Sequence, residues 1–134
     1  MRETEDGDEV SLTPLADFLA DVESSDFSFG EWVPATKPAP GVVTMPYFAF
    51  SPEGLALIAA MPVQSAFDWA SWQETDAAKR MLNDPATVAD ATPDELVKLS
   101  TTLLRSDRFT DGVLANAWAS GLIRAIVKRA ATVG

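Results

Sequence analysis

Three hydroxyl residues that each precede a proline mark where helices begin in this sequence. Thr13-Pro14, Ser51-Pro52 and Thr92-Pro93 each stand directly before apolar residues at helical spacing. The hydroxyl caps a helix, and proline suits the first helical position because its missing N–H is not needed there. The signal at Thr92 is the strongest, since Glu95 completes a capping box. Helices are therefore predicted to begin at these three places.

Further helices are predicted from apolar spacing between and after these three starts. One begins near Ser65 or Asp68 and stops at Asp84-Pro85, with a single turn following. The last segment splits at Gly121 into helices over 111–119 and 121–131, or forms one kinked helix. The helix that begins at residue 13 is predicted to end at Ser24-Ser25.

Residues 26–46 are predicted to be irregular, because prolines and glycines punctuate them. A short strand at 42–44 is the one regular element predicted there, and Phe27, Phe29 and Trp32 indicate that the connection packs on the core.

The predicted fold class is all-α. It is a single domain over residues 10–134, with five to six helices and a long Pro-rich connection packed on the core. Residues 1–9 lack an apolar pattern and are predicted to be a disordered acidic arm.

The composition excludes several classes of site. The 134 residues include no cysteine and no histidine, which removes thiolate chemistry, ordinary zinc sites and Ser-His triads. No cofactor and no metal are therefore predicted. The longest apolar stretch, residues 54–63, is about half of what a bilayer span needs. The acidic N-terminus does not resemble a secretory signal, so a cytoplasmic location without membrane attachment is expected.

The formal net charge of −10 is distributed unevenly. Residues 1–31 hold ten of the twenty acids and one base, whereas residues 98–134 hold six bases and two acids. An acidic protein is repelled by nucleic acid at long range, so nucleic-acid binding is disfavoured. The basic residues near the C-terminus are interpreted as solvated helix faces.

The most informative segment is the run of residues 101–112, Thr-x-Leu-x-Arg-x-Asp-Arg-Phe-x-Asp-Gly. The element Phe67-Asp68-Trp69-x-x-Trp72 precedes this run, and Gly121 follows it. Through these residues the chain resembles an uncharacterised family of small bacterial and archaeal proteins, a domain of unknown function. The resemblance covers roughly residues 47–130 and implies no role for any residue.

Two interpretations of the 105–112 segment are open. As a structural corner it fixes how two helices meet, with Arg108 paired to Asp111, Phe109 buried in the core, and Thr110 or Asp111 capping the next helix. Gly112 then allows a turn or a close approach of another helix. As a ligand site it offers arginine forks for phosphate or carboxylate, tryptophans that stack on a base, and carboxylates that act as bases or hold Mg²⁺. The candidate ligand-binding residues are Asp68, Trp69, Trp72, Arg105, Asp107, Arg108 and Asp111.

Each candidate from the second element also has a simpler explanation. Trp69 and Trp72 are three residues apart, on one helix face, which is typical of core packing. Asp68 is at a position that suits an N-cap.

The favoured function is a non-enzymatic interaction or regulatory module, which forms a homo-oligomer or binds a protein partner. The alternative is a small ligand-binding domain or enzyme that acts on an anionic ligand at the corner around Arg105 and Asp111.

Overall fold

The computed structural model describes residues 11–64, 66–110 and 112–133, and these form a mixed α/β fold. The prediction of an all-α fold was wrong, because two small antiparallel sheets accompany the helices. Helices still dominate, at 58% of the described residues. Within the described residues the α-helices are α1 (Thr13–Ala16), α2 (Leu19–Glu23), α3 (Pro52–Ala60), α4 (Trp69–Trp72), α5 (Asp76–Asn83), α6 (Pro93–Asp107), α7 (Val113–Ala119) and α8 (Leu122–Val133), with a 3₁₀ helix at Pro85–Asp90.

Two of the three predicted helix starts are confirmed in detail. Ser51 Oγ accepts a hydrogen bond from Gly54 N at 2.8 Å. Thr92 and Glu95 form the capping box, with N···O distances of 2.9 and 3.1 Å. Thr13 is not a cap, because Leu12 occupies that position and makes no side-chain cap bond.

Two predicted long helices are each divided in the structure. The helix that begins at residue 13 breaks between α1 and α2 around Asp17 and Phe18. The segment after Asp68 breaks between α4 and α5, where Thr75 Oγ1 accepts from Ala78 N at 3.2 Å and starts a new helix. Each break raises the number of helices above the five or six that were predicted.

The sheets come from the connection that was predicted to be irregular. Strands β1 (Gly30–Val33), β2 (Thr36–Ala39), β3 (Val42–Thr44) and β4 (Tyr47–Phe50) form one long hairpin, with β1 paired to β4 and β2 paired to β3. The short strand predicted at 42–44 is confirmed as β3. Proline was interpreted as a strand breaker, but every strand of a two-stranded sheet is an edge strand, where proline is tolerated.

The base and the outer part of this hairpin have different surroundings. At the base, Phe29 is buried, stacks on Trp118 at 5.0 Å between ring centroids, and meets Phe50 edge-on. Residues 34–46, which we call the hairpin arm, are exposed along their whole length. The prediction that the connection packs on the core is therefore right for its base and wrong for the arm.

The core lies between the helices. Leu15, Leu57, Leu96, Leu99 and Ile126 are almost completely buried there. Thr101 of α6 makes a hydrogen bond to the chain that follows α3, because its Oγ1 accepts from Gln64 N at 2.9 Å. The same hydroxyl donates to the carbonyl of Val97 within α6 at 2.8 Å. That hydroxyl ties the chain after α3 to α6. In the described residues, no helix is long and apolar enough to cross a membrane.

Candidate functional site at the α6–α7 corner

The predicted corner is the junction where α6 ends and α7 begins. Arg105 is partly buried in the last turn of α6, and Arg108 is exposed at its C-cap. The backbone N–H of Arg108 donates to the carbonyl of Arg105 at 3.2 Å and closes the helix. Asp111 lies outside the described residues, and so does its predicted pairing with Arg108.

Asp107 provides the side-chain acceptor for the start of α7. Its Oδ1 accepts a hydrogen bond from the backbone N–H of Leu114 at 3.1 Å, across seven residues. The residue at the N-cap position, Gly112, has no side chain to offer. The cap was predicted to come from Thr110 or Asp111. Asp111 lies outside the described residues, and among the described ones the acceptor is the carboxylate of Asp107, at the end of the preceding helix.

Gly112 brings the corner against the hairpin. Its φ of +89° lies in the left-handed region, where a side chain is strained. A Cβ at this position would stand 3.2 Å from Cη2 of Trp32. The close approach predicted for Gly112 is confirmed, but the approaching element is a strand of the hairpin rather than a helix.

A cavity of about 180 Å³ lies at this contact, and we call it the hairpin-base cavity. Its walls are the aromatic rings of Trp32, Tyr47, Phe48 and Phe50, and its other lining residues are Asp107, Gly112 and Ala115. Asp107 therefore caps α7 with one oxygen and lines an aromatic cavity. The aromatic residues belong to the hairpin, which sequence reasoning had placed outside the site.

The Asp68–Trp72 element, which contains α4, packs against α6 away from the hairpin-base cavity. Trp69 is nearly parallel to Phe109, with an angle of 18° and 6.2 Å between centroids. Phe109 was predicted to be buried in the core, but 79% of it is exposed, so that prediction was wrong. Trp72 packs partly buried against the core, as expected.

Asp68 is the N-cap of α4, as the sequence indicated. Its carboxylate accepts from Ser71 Oγ at 2.8 Å and from Ser71 N at 3.1 Å. The bond from the Ser71 hydroxyl has the larger effect and the backbone bond the smaller. Both hold the pKa of Asp68 below its ordinary value, because they favour the charged form. The side chain is exposed, and capping accounts for its position without a catalytic role.

The predicted residues do not converge on one cavity. Trp69 lines a cavity of about 360 Å³ together with Phe109, Thr102 and Ser106, whereas Asp107 lines the hairpin-base cavity. Thr102 is almost completely buried, and its hydroxyl has no hydrogen-bond partner among the described residues. Across the same parts of the chain, no three acidic side chains cluster as a metal site would require.

The largest of the cavities described here lies on the face of α8, and sequence reasoning missed it. Its volume is about 500 Å³, and Arg124, Lys128 and Arg129 line it together with Pro85 and Ala89 of the 3₁₀ helix. We call it the α8 cavity. The four-residue spacing of Arg124 and Lys128 places these two side chains on one helix face, which the sequence could have shown. The facing 3₁₀ helix, which turns that face into a cleft, could not be anticipated.

Two arginines of the α8 cavity are held in place by backbone carbonyls. Arg129 Nε donates to the carbonyl of Ala91 at 2.8 Å, and Arg124 Nε donates to that of Val22 at 3.2 Å. The guanidinium of Arg124 also lies 4.1 Å from the centroid of Trp118. Guanidinium groups fixed in this way lose less freedom when they bind an anion.

Comparison with known proteins identifies the family and no activity. The chain belongs to a family of unknown function, DUF6508, whose model matches residues 8–133. This confirms the resemblance to a domain of unknown function that the sequence indicated. No curated protein and no solved structure matches the chain.

Proposed function

We propose that this chain is a non-enzymatic interaction module that assembles with a second copy of itself through the hairpin arm. The observation that carries the proposal is the exposure of the arm's apolar side chains. Val42, Val43 and Met45 are 47%, 58% and 74% exposed. Clustered apolar groups of this kind mark interaction surfaces in folded proteins.

The arm is a two-stranded sheet that a further strand would stabilise. An isolated two-stranded hairpin is marginally stable in water, and within the described structure no third strand pairs with β2 or β3. Pro38 blocks part of the ladder on β2, whereas β3 contains no proline. A second arm packed on one face of β3 would cover the valine on that face, because Val42 and Val43 point to opposite faces of the strand.

The charge distribution favours another copy as that partner. Residues 32–52 contain no acid, and Lys37 is their one charged residue, in a chain with a net charge of −10. Two acidic domains repel each other, so their contact is best made by a neutral segment that projects from the body. A contact between two arms around a twofold axis uses the same neutral patch from both copies.

Sedimentation velocity over a range of protein concentrations tests this proposal. Wild type is expected to shift from monomer towards dimer as concentration rises, and Val43→Glu is expected to stay monomeric. The matched control is Leu55→Glu, which adds the same charge at an apolar side chain that is 54% exposed on α3, away from the arm. A wild type that stays monomeric, or equal dimer loss in both variants, would overturn the proposal.

The α8 cavity supports a second candidate function, the binding of a small organic anion. Three cationic side chains and one carboxylate, that of Glu23, line it, so the basic groups are in excess, and Pro85, Ala89 and Ala125 provide apolar surface for the rest of a ligand. Its volume of about 500 Å³ lies in the range of roughly 300–1,000 Å³ that is usual for small-molecule sites. The anionic ligand that was predicted at Arg105 and Asp111 remains a prediction for that corner.

Thermal melting with inorganic phosphate and with a phenyl phosphate tests this second candidate. The phenyl compound is expected to raise the melting temperature more, because its ring reaches the apolar wall. Lys128→Gln should reduce the shift, while Lys79→Gln, an exposed lysine whose carboxylate partner is Glu74, should leave it unchanged. No shift with either compound, or equal shifts in all three proteins, would exclude an anion site in the α8 cavity.

The remaining predictions from the sequence belong to the same proposal. We propose a single domain over residues 10–134 that works in the cytoplasm without binding nucleic acid. The acidic residues 1–9 lie outside the described residues, and their disorder remains a prediction.

A further inference from the structure

We propose that the hairpin-base cavity is a binding site for a methylated ammonium group. Four aromatic rings and one carboxylate line this cavity, which is the combination that recognises a bulky, weakly hydrated cation. The inference does not depend on self-association, because its residues lie at the base of the hairpin and not in the arm.

Three of the rings form one continuous aromatic wall of the cavity. Trp32 and Phe48 are paired positions in the β1–β4 ladder. Their rings meet edge to face, with 5.5 Å between centroids and an angle of 77°. Phe48 meets Phe50 at 5.2 Å and 69°. Rings at these distances and angles pack edge to face on one another, so a cation in the cavity meets the ring surface that this packing leaves free.

The non-aromatic lining residues of the cavity provide a negative charge and space for a ligand. Asp107 lines it and is fixed by the hydrogen bond from Leu114 N to its Oδ1. Gly112 and Ala115 leave space because their side chains are minimal, and a Cβ at Gly112 would crowd Trp32. The volume of about 180 Å³ is below that of a typical whole-ligand site, so the cavity suits the head of a ligand.

Packing on the core accounts for Phe48 and Phe50 but not for the other two rings of this cluster. Trp32 and Tyr47 are 52% and 57% exposed, although their rings are among the largest apolar surfaces of the chain. The described cation–π pairs, Lys98 on Phe67 and Arg124 on Trp118, lie elsewhere. Among the described residues, therefore, no cation of the protein is recorded over these rings, and the negative net charge of the chain attracts an external one.

Tetramethylammonium chloride is the probe, and 3,3-dimethylbutanol, a neutral compound with a tert-butyl group, is its comparison. We expect the methyl protons of tetramethylammonium to shift upfield in NMR spectra, because they lie over ring faces, and the neutral compound to bind at least about tenfold more weakly. Equal binding of both compounds would show a merely apolar pocket and overturn the inference. No shift of the cation's methyl signal at millimolar concentrations would overturn it as well.

Variants then assign the binding to these residues. Trp32→Ala and Asp107→Asn are each expected to raise the dissociation constant for tetramethylammonium by about tenfold. The amide oxygen that Asp107→Asn introduces can still accept from Leu114 N, so this variant removes the charge and retains the cap. Phe109→Ala, which removes an exposed ring outside the cavity, is the matched control and should bind as wild type does. Unchanged binding in both cavity variants would place the probe elsewhere and refute the site.

The same group can come from a free trimethylammonium compound or from a methylated lysine side chain. Titration with choline and with a short peptide that contains trimethyllysine distinguishes these sources, with the unmethylated peptide as control. Tighter binding of choline assigns the site to a small molecule, and tighter binding of the methylated peptide assigns it to a protein segment. Equal affinity for the methylated and unmethylated peptides, with no binding of choline, would contradict the inference.

Discussion

The indole ring of Trp32 lies against Gly112, so close that a Cβ at residue 112 would stand 3.2 Å from Cη2 and 3.5 Å from Cζ2 of the indole. This contact joins the base of the hairpin to the corner between α6 and α7. The candidate site of this chain therefore combines a helix junction with a strand pair, and glycine is favoured at residue 112 for two separate reasons. One is its backbone conformation and the other is the neighbouring ring.

Replacing Gly112 by alanine should separate these two reasons. Gly121 has the same φ of +89°, but no atom lies within 4 Å of where its Cβ would be. Gly121→Ala should therefore cost about 1–2 kcal/mol, the strain of the left-handed conformation alone. Gly112→Ala should cost about 1 kcal/mol more, because the ring of Trp32 has to move. Urea denaturation of both variants measures the difference, and equal losses would contradict the Trp32 contact.

The remote cap gives a prediction for Asp107. Asp107→Ala leaves the N–H of Leu114 without its acceptor and should lower the free energy of unfolding by about 0.5–2 kcal/mol. Asp107→Asn retains an acceptor oxygen and should lose clearly less. Urea denaturation of the two variants checks this order. Equal losses would mean that the charge, and not the hydrogen bond, stabilises the corner.

The cap at Asp68 predicts a pH effect with a definite sign. The folded pKa of Asp68 lies below the unfolded one, so its contribution to stability is complete above the unfolded pKa. That contribution is lost as pH falls below about 3.9, the ordinary aspartate value, and through the folded pKa. Ser71→Ala removes the larger cause and should raise the pKa of Asp68, as an NMR titration of its carboxyl carbon would show. An unchanged titration midpoint would exclude the Ser71 hydroxyl as the larger cause and leave the backbone N–H of residue 71.

The helix starts at Ser51 and Thr92 were predictable because each one depends on residues that are close in sequence. The capping box of Thr92 and Glu95 and the cap at Ser51 need no information from the rest of the chain. The same is true of Asp68, whose two bonds go to a residue three positions away. Local chemistry was sufficient at these positions.

The hairpin and the site were not predictable from local chemistry. Whether prolines interrupt a strand depends on which strand edge is free, and that is decided by the pairing of β1 with β4 and of β2 with β3. Phe109 is an apolar residue of the kind that is usually buried, but it follows the end of α6 and its side chain is exposed there. The lining of the hairpin-base cavity joins residues 32 and 47–50 to residues 107–115, which only the tertiary fold brings together.

Deletion of residues 1–9 tests the predicted domain boundary. The segment has no apolar pattern, so its loss should change the free energy of unfolding by less than about 0.5 kcal/mol. Thermal melting of the shortened chain at low salt measures this. A large fall in the melting temperature would instead indicate that the acidic segment contacts the basic residues of the α8 cavity.

Cross-linking of a single cysteine in the hairpin arm tests self-association most directly. The natural chain contains no cysteine, so Val43→Cys creates one unique thiol, and Leu55→Cys creates another of similar exposure outside the arm. Because a contact between two arms around a twofold axis places the two short arms side by side and leaves the two α3 helices farther apart, mild oxidation should convert Val43→Cys to covalent dimers much faster than Leu55→Cys. Equal and slow cross-linking of both variants would contradict assembly through the hairpin arm.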